Sequence, residues 1–401
     1  MVLRRLCAAL IVGAAIVACG DAGQRSQQTP TSSPALVETP IGLATGQPII
    51  IGVSVDLGGE QQAAGLDIAD AVDLAIEDAG SEVAGHPILS RREDDGCNDA
   101  ERASEAAKRL VAVEGVTGVI GPMCTTGAQA ANDVYEEAGV VHISPTSTRA
   151  DLSAPARRFF FRLAWRDDVQ AAVQARFVLG EGPGASVIVV DDGEAYGRAL
   201  ADGTVAAIEE GGGRVLARER IERGAADYRV LARQIASADP HAVLFEGFDP
   251  EGALLVRDLR AEGYGGLFLG PDSLFSLGAF VTPAAEAAEG AIVTAGRLPD
   301  EAFTARFAER FGRAPSTPFV LQAYDATRLL VESLEAMVEG EPPGDVAINR
   351  GSLSDAVRGS VLLGLTGPIS FDEQGERVGD SAEELGLAIY RVNGEQFEVV
   401  E

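Results

Sequence analysis

Ile49-Ile50-Ile51-Gly52-Val53-Ser54-Val55 is a run of apolar and β-branched residues with little alternation. After it, residues 64–79 place Leu66, Ala69, Val72, Ala75, Ile76 and Ala79 at helical spacing. A strand that is apolar on both faces needs cover on both faces, and the helix after it supplies part of that cover. Outward from this pair the same alternation continues. Strands are predicted over 87–92, 118–120 and 140–144, with helices over 100–113 and 125–138 between them. The pattern restarts after Asp167, with helices over 169–179, 197–210, 228–238 and 250–261 and strands over 186–190, 214–221, 242–245 and 267–269. Alternation of this kind implies α/β architecture, parallel sheets with helices on both faces. Two runs of it imply two similar lobes. Residues 304–339 and 353–358 read as helical, and Ile369-Ser370-Phe371 reads as a late strand.

The start of the chain reads differently. Arg4 and Arg5 precede an apolar run over 6–18, broken only by Gly13. A basic stretch before a short apolar one is the pattern of a secretory signal, and the run falls short of the ~20 residues that span a membrane. Ile16-Val17-Ala18-Cys19 resembles the bacterial lipobox, in which the cysteine receives lipid and becomes the first residue. That resemblance implies a signal peptide over 1–18 and a lipid anchor at Cys19. An ordinary signal peptide with an incidental cysteine is the alternative. Residues 19–47, rich in Ser, Thr, Gln, Pro, Gly and Ala, bury too little surface to offset their ordering entropy and are expected to form a flexible tether.

Composition excludes some partners. A length of 401 residues suits about two or three domains. A formal net charge of −29 repels phosphate backbones, so no nucleic-acid partner is expected. The one lysine, Lys108, carries no functional message. With Cys7 in the signal and Cys19 at its end, Cys97 and Cys124 remain as an even pair in an oxidising compartment. They form either a bridge, worth ~3–4 kcal/mol in the chain-entropy model, or two buried thiols. His86, His142 and His241 are isolated on or beside apolar strands without metal-ligand spacing. Neither a phosphate-binding Gly-Lys-Ser/Thr motif nor a Gly-x-Ser-x-Gly elbow occurs. No metal, cofactor or catalytic residue is expected. An exported hydrolase using His142 is a distant alternative.

Ligands of open parallel sheets bind beyond the carboxyl ends of the strands, against helix N-termini. Three such loops are Asp94-Asp95-Gly96-Cys97-Asn98-Asp99, Gly121-Pro122-Met123-Cys124-Thr125-Thr126-Gly127 and Ser144-Pro145-Thr146-Ser147-Thr148. Together with Asp191-Asp192-Gly193-Glu194-Ala195-Tyr196-Gly197, Gly247-Phe248-Asp249-Pro250-Glu251, Leu269-Gly270-Pro271-Asp272 and Gly367-Pro368-Ile369-Ser370-Phe371, they resemble the leucine/isoleucine/valine-binding protein family in order along the chain. The resemblance implies a type I periplasmic-binding fold whose lobes close on a ligand and hand it to the membrane permease of an ABC importer. It implies three hinge crossovers, near Asp167, Ala295 and Phe371. One lobe then takes 48–167 and 295–371, the other 168–294 and 372–401. It also implies that Cys97 and Cys124 are bridged.

The loop chemistry suits a zwitterionic amino acid. Thr125 opens a helix, so its hydroxyl and the free N–H groups there can hold a carboxylate. Thr148 can do the same. The Thr146 carbonyl and the Asp272 carboxylate can accept from an ammonium, and Tyr196 would close from the other lobe. By the resemblance Thr125, Thr146, Ser147, Thr148, Tyr196, Phe248 and Asp272 are the ligand contacts. As plain residues, Thr125 and Thr148 could be helix caps, Asp272 a turn residue and Tyr196 a packing ring. Where the family has tyrosines this chain has Ala64 and Phe248. The matched positions bring no further charge, so the expected ligand is uncharged and mainly aliphatic. A sensing module for amides or other solutes is the alternative function. The protein is expected to be a monomer.

Overall fold

The computed structural model describes residues 40–400, apart from 114, 183 and 340–343. The signal, Cys19 and most of the expected tether lie outside the described residues. The first run comprises β1 (Ile41–Leu43), β2 (Ile49–Val55), α1 (Gln62–Asp78), β3 (Glu82–Val83), β4 (His86–Asp94), α2 (Ala100–Val111), β5 (Val116–Ile120), α3 (Thr125–Ala138), β6 (Val141–Ser144) and β7 (Phe160–Arg162). The second comprises α4 (Asp167–Glu181), β8 (Ser186–Asp191), α5 (Ala195–Glu210), β9 (Arg214–Arg220), α6 (Arg229–Ala238), β10 (Ala242–Glu246), α7 (Asp249–Ala261), β11 (Leu267–Gly270), a single turn α8 (Thr282–Ala284) and β12 (Ile292–Gly296). The chain ends with α9 (Glu301–Phe311), α10 (Val320–Val338), β13 (Val346–Ile348), α11 (Arg350–Gly359), β14 (Leu362–Gly364), β15 (Gly367–Ile369), β16 (Leu387–Asn393) and β17 (Gln396–Val399).

Two large sheets result, ordered β3-β4-β2-β5-β6-β7 and β17-β16-β12-β11-β10-β8-β9. β2 and β8 each lie between the next two long strands of their run, β4 and β5 in one sheet, β9 and β10 in the other, and all these pairings are parallel. Connections therefore leave the central strand in opposite directions, which opens a crevice at the carboxyl ends of the strands. Ile51, Val53 and Val55 are completely buried, as a strand covered on both faces requires. Each sheet with its helices is a lobe. α10 packs on α1 of the first lobe, and α4 packs on α5 of the second.

The structure departs from the sequence reading in four places. β1 falls inside the expected tether, yet it pairs antiparallel with β13, and Leu43 is 1% exposed. Its partner lies some 300 residues away, so no local pattern announces it. The helix expected over 304–339 is two helices. α9 ends at Gly312, which takes the left-handed φ of 75° that glycine tolerates, and the loop to α10 carries Pro315 and Pro318. β7, β12, β16 and β17 were not anticipated; β16 and β17 extend the second sheet by antiparallel pairing. Finally, residues just after Phe371 stay with the first lobe, because Glu376 bridges to Arg162 of β7 and the Gly375 carbonyl accepts from the Arg162 N–H at 2.9 Å. The third crossover runs over 377–386, up to the start of β16.

The crossovers touch one another. Arg377 donates to the carbonyls of Leu163 (3.5 Å), Thr366 (2.9 Å) and Glu384 (3.0 Å), and the Arg297 N–H donates to the Gly386 carbonyl at 2.8 Å. Replacing Leu43 by Ala should test whether β1 is integral to the fold. A loss of roughly 2–4 kcal/mol in urea unfolding is expected, and a loss below about 0.5 kcal/mol would make β1 a dispensable extension.

Candidate functional site

The carboxyl ends of both sheets face one cleft of ≈ 790 Å³, its mouth included. The first lobe contributes Glu60, Gln61 and Ala64 after β2, Met123, Cys124 and Thr125 after β5, and Thr146 and Thr148 after β6. The second contributes Tyr196, Phe248, Asp249, Asp272, Ser273 and Phe275.

Thr125 is the first residue of α3. The N-cap position is Cys124, which supplies no side-chain cap, and the Thr125 hydroxyl has no hydrogen bond among the described residues. Thr125 is therefore not a capping residue. The first-turn N–H of Gly127 is taken by the Cys97 carbonyl at 3.1 Å. The Thr125 hydroxyl, with the positive end of the helix behind it, points to an anion such as a carboxylate. The Cys97–Cys124 disulfide ties this helix start to the loop after β4. Asp95 reinforces it, accepting from the N–H groups of Cys97 (2.9 Å) and Met123 (3.3 Å). Burial raises the Asp95 carboxyl to about 6, against the pull of those N–H groups.

The loop after β6 is held from beneath. Arg162, fully buried and paired with Glu376, donates to the carbonyls of Ser147 (3.3 Å) and Arg149 (2.5 Å). The Thr146 hydroxyl donates to the Met123 carbonyl, and the Thr146 carbonyl accepts no hydrogen bond among the described residues. Across the cleft, the Asp272 carboxylate accepts from Gln170 Nε2 and from the Tyr196 hydroxyl, both at 2.8 Å. Gln170 Oε1 in turn accepts from Trp165 Nε1 at 2.8 Å. Burial raises the Asp272 carboxyl, and the Tyr196 and Gln170 donors oppose the shift. The start of α3 and the oriented Asp272 carboxylate thus line the same cleft.

A profile described as periplasmic binding protein matches residues 48–395. The chain belongs to that family. The Leu/Ile/Val-binding protein BraC3 of Rhizobium johnstonii is 30% identical over 330 residues, covering 80% of this chain and 89% of that protein. The leucine-, isoleucine-, valine-, threonine- and alanine-binding protein of Pseudomonas aeruginosa is 28% identical over 292 residues, covering 71% and 74%. Among solved structures, the leucine-binding protein LivK of Thermotoga maritima superposes with a TM-score of 0.78 at 23% identity, over 88% of this chain and 98% of that one. The Streptococcus pneumoniae branched-chain amino acid transporter substrate-binding protein LivJ, in complex with isoleucine, gives 0.75 at 23% identity, over 88% and 99%. These likenesses establish the type I periplasmic-binding fold.

In this periplasmic binding protein six of the seven expected contacts line the cleft. Ser147 is the correction. Its hydroxyl donates to the Pro122 carbonyl at 3.0 Å and braces the loop instead of facing the cleft. Tyr196 also differs in role: its hydroxyl is committed to Asp272 of its own lobe, and its ring packs on Phe248 with centroids 5.6 Å apart. The sequence reading omitted Ser316, Thr317 and Phe319, which reach the cleft from the loop between α9 and α10. Gly312, Pro315 and Pro318 were the signal for that loop. It also omitted two acids of the lining, Glu60 and Asp249. His142 sits in the core against Asn132 (3.2 Å), with burial depressing its ring to about 3.

Two further acids stand behind the cleft. Asp167 is 3% exposed, and neither of its oxygens completes a hydrogen bond among the described residues. Burial pushes it to about 7, helped by the charge of Asp272. Burial likewise pushes Glu246 to about 8, although Thr204 donates to it at 3.0 Å. Both acids bind protons more tightly folded than unfolded. Their stabilising effect is full below about pH 4 and is lost as pH rises through about 7 to 8. Melting temperature of the unliganded protein should therefore fall by roughly 5–10 °C between pH 5.5 and 8.5; a flat or rising profile in calorimetric scans would contradict these assignments.

Proposed function

We propose that the chain is an exported, lipid-anchored receptor that captures an amino acid between its lobes and delivers it to the membrane permease of an ABC importer. The observation that carries this reading is the opposition of the α3 start, with Thr125, to the Asp272 carboxylate held by Tyr196 and Gln170. A zwitterion needs donors at one end and a charged acceptor at the other, and the cleft offers both. The amino acids named for the Pseudomonas and Rhizobium relatives, and the isoleucine in the pneumococcal structure, support the same ligand class.

Asp272→Asn keeps an acceptor for Tyr196 and Gln170 but removes the charge. Calorimetry with a panel of L-amino acids should show at least tenfold weaker binding, about 1.4 kcal/mol, with melting of the unliganded protein little changed. Unaltered affinity, or tighter binding of carboxylic acids lacking the amino group by the unmutated protein, would defeat the amino-acid reading. The anchor is tested separately. Cys19→Ala should move the protein from the membrane fraction to the soluble exported fraction, and unchanged membrane association would refute lipidation there.

A further inference from the structure

The acids of the cleft form two groups. Asp272 interacts with Asp167 and Glu246, on the side where the ammonium is placed. Asp249 interacts instead with Glu251 and Glu60. Asp249 opens α7, where a carboxylate is normally solvated, yet it is 4% exposed and lines the cleft. Burial pushes it to about 7, and Gln61, from the other lobe, supplies its one side-chain donor among the described residues, at 3.1 Å. No Lys, Arg or His lines the cleft among the described residues. Arg223, which lies over the Phe248 ring at 5.3 Å, is already held by Glu60, Glu194 and Glu251. Asp249 is thus a buried acceptor whose donors, the Gln61 amide and its own backbone N–H, are both uncharged, and it is placed apart from the acid that takes the α-ammonium.

A purely hydrocarbon side chain would leave this carboxylate desolvated and without a charged partner, its only compensation being uncharged N–H groups, which is costly in a buried site. A side chain with an apolar stem and a nitrogen end would meet both parts of the lining. Its stem would pass Phe248, Phe275, Phe319 and Ala64, and its N–H group would reach Asp249. We propose that Asp249 is a specificity-determining residue and that the preferred ligand is an amino acid whose aliphatic stem ends in an N–H donor. A cationic end is favoured because the cleft carries carboxylates and no base. This inference rests on the amino-acid reading of the same cleft and adds the identity of the side chain.

L-lysine and L-norleucine share a carbon chain and differ in the terminal ammonium, and L-glutamine supplies an uncharged N–H end. Calorimetry on the unmutated protein should show lysine or glutamine binding at least tenfold more tightly than norleucine. Asp249→Leu should abolish that preference while norleucine binding is kept or strengthened. Asp249→Asn, which keeps an acceptor for Gln61, covers poor folding of the leucine variant and should weaken lysine at least tenfold more than norleucine. Norleucine binding as tightly as both nitrogen-ended ligands, or a preference that survives removal of the carboxylate, would overturn the inference and leave the amino-acid reading standing. Absence of binding by every L-amino acid, α-ammonium included, would overturn both.

Discussion

The buried pair of Arg162 and Glu376 is the constraint on which the site depends. A guanidinium has five donors and no way to shed its charge, so burying one is tolerable only when its donors are met. Arg162 meets them with the Glu376 carboxylate and with the carbonyls of Ser147 and Arg149. One side chain thereby joins β7 to the start of the last crossover and fixes the loop that presents Thr146 and Thr148. Loss of either partner would leave the other charged and buried, a cost of about 3–5 kcal/mol. The second buried arginine, Arg377, is satisfied by backbone carbonyls of the crossovers and the β14–β15 hairpin, and burial lowers it to about 10.

Around this frame the cleft is prepared before a ligand arrives. The helix start needs no rearrangement, because the disulfide and Asp95 hold the loops on either side of it. The acceptor needs none either, because Trp165, Gln170 and Tyr196 orient Asp272 through a chain of hydrogen bonds. Preorganisation of this kind lowers the ordering cost of binding. The contacts made across the cleft include the Gln61–Asp249 hydrogen bond and the Glu60–Arg223 ion pair. Glu60 is exposed, so that pair contributes little on its own, of order 0–1 kcal/mol.

Much of this was legible in the sequence because the dominant pattern is local. β2 with α1, and each repeat of strand and helix after it, are announced by apolar spacing within a short window. α3 begins at Thr125 and ends at Ala138, as the spacing indicated, because the αL glycine Gly139 follows it directly. What escaped depends on distant partners. β1 is three residues long and acquires its identity from β13. Gln170 and Asp167 look like ordinary residues of a helix start until the fold sets them beneath Asp272 and Thr148. Ser147 and Tyr196 illustrate the opposite limit. Their place in a loop was readable, but the direction of each hydroxyl was decided by the Pro122 carbonyl and the Asp272 carboxylate. Ser316 and Thr317 were hidden inside an over-long helix, although Gly312 and two prolines marked its break.

The contact between crossovers has a mechanical consequence. Residue 163 of the first meets Arg377 at the start of the third, and residue 386 of the third meets Arg297 of the second. The three segments therefore lie side by side as a laminated strap. A displacement of any one of them strains the hydrogen bonds it makes to its neighbour, so the backbone links between the lobes are coupled and not three separate threads.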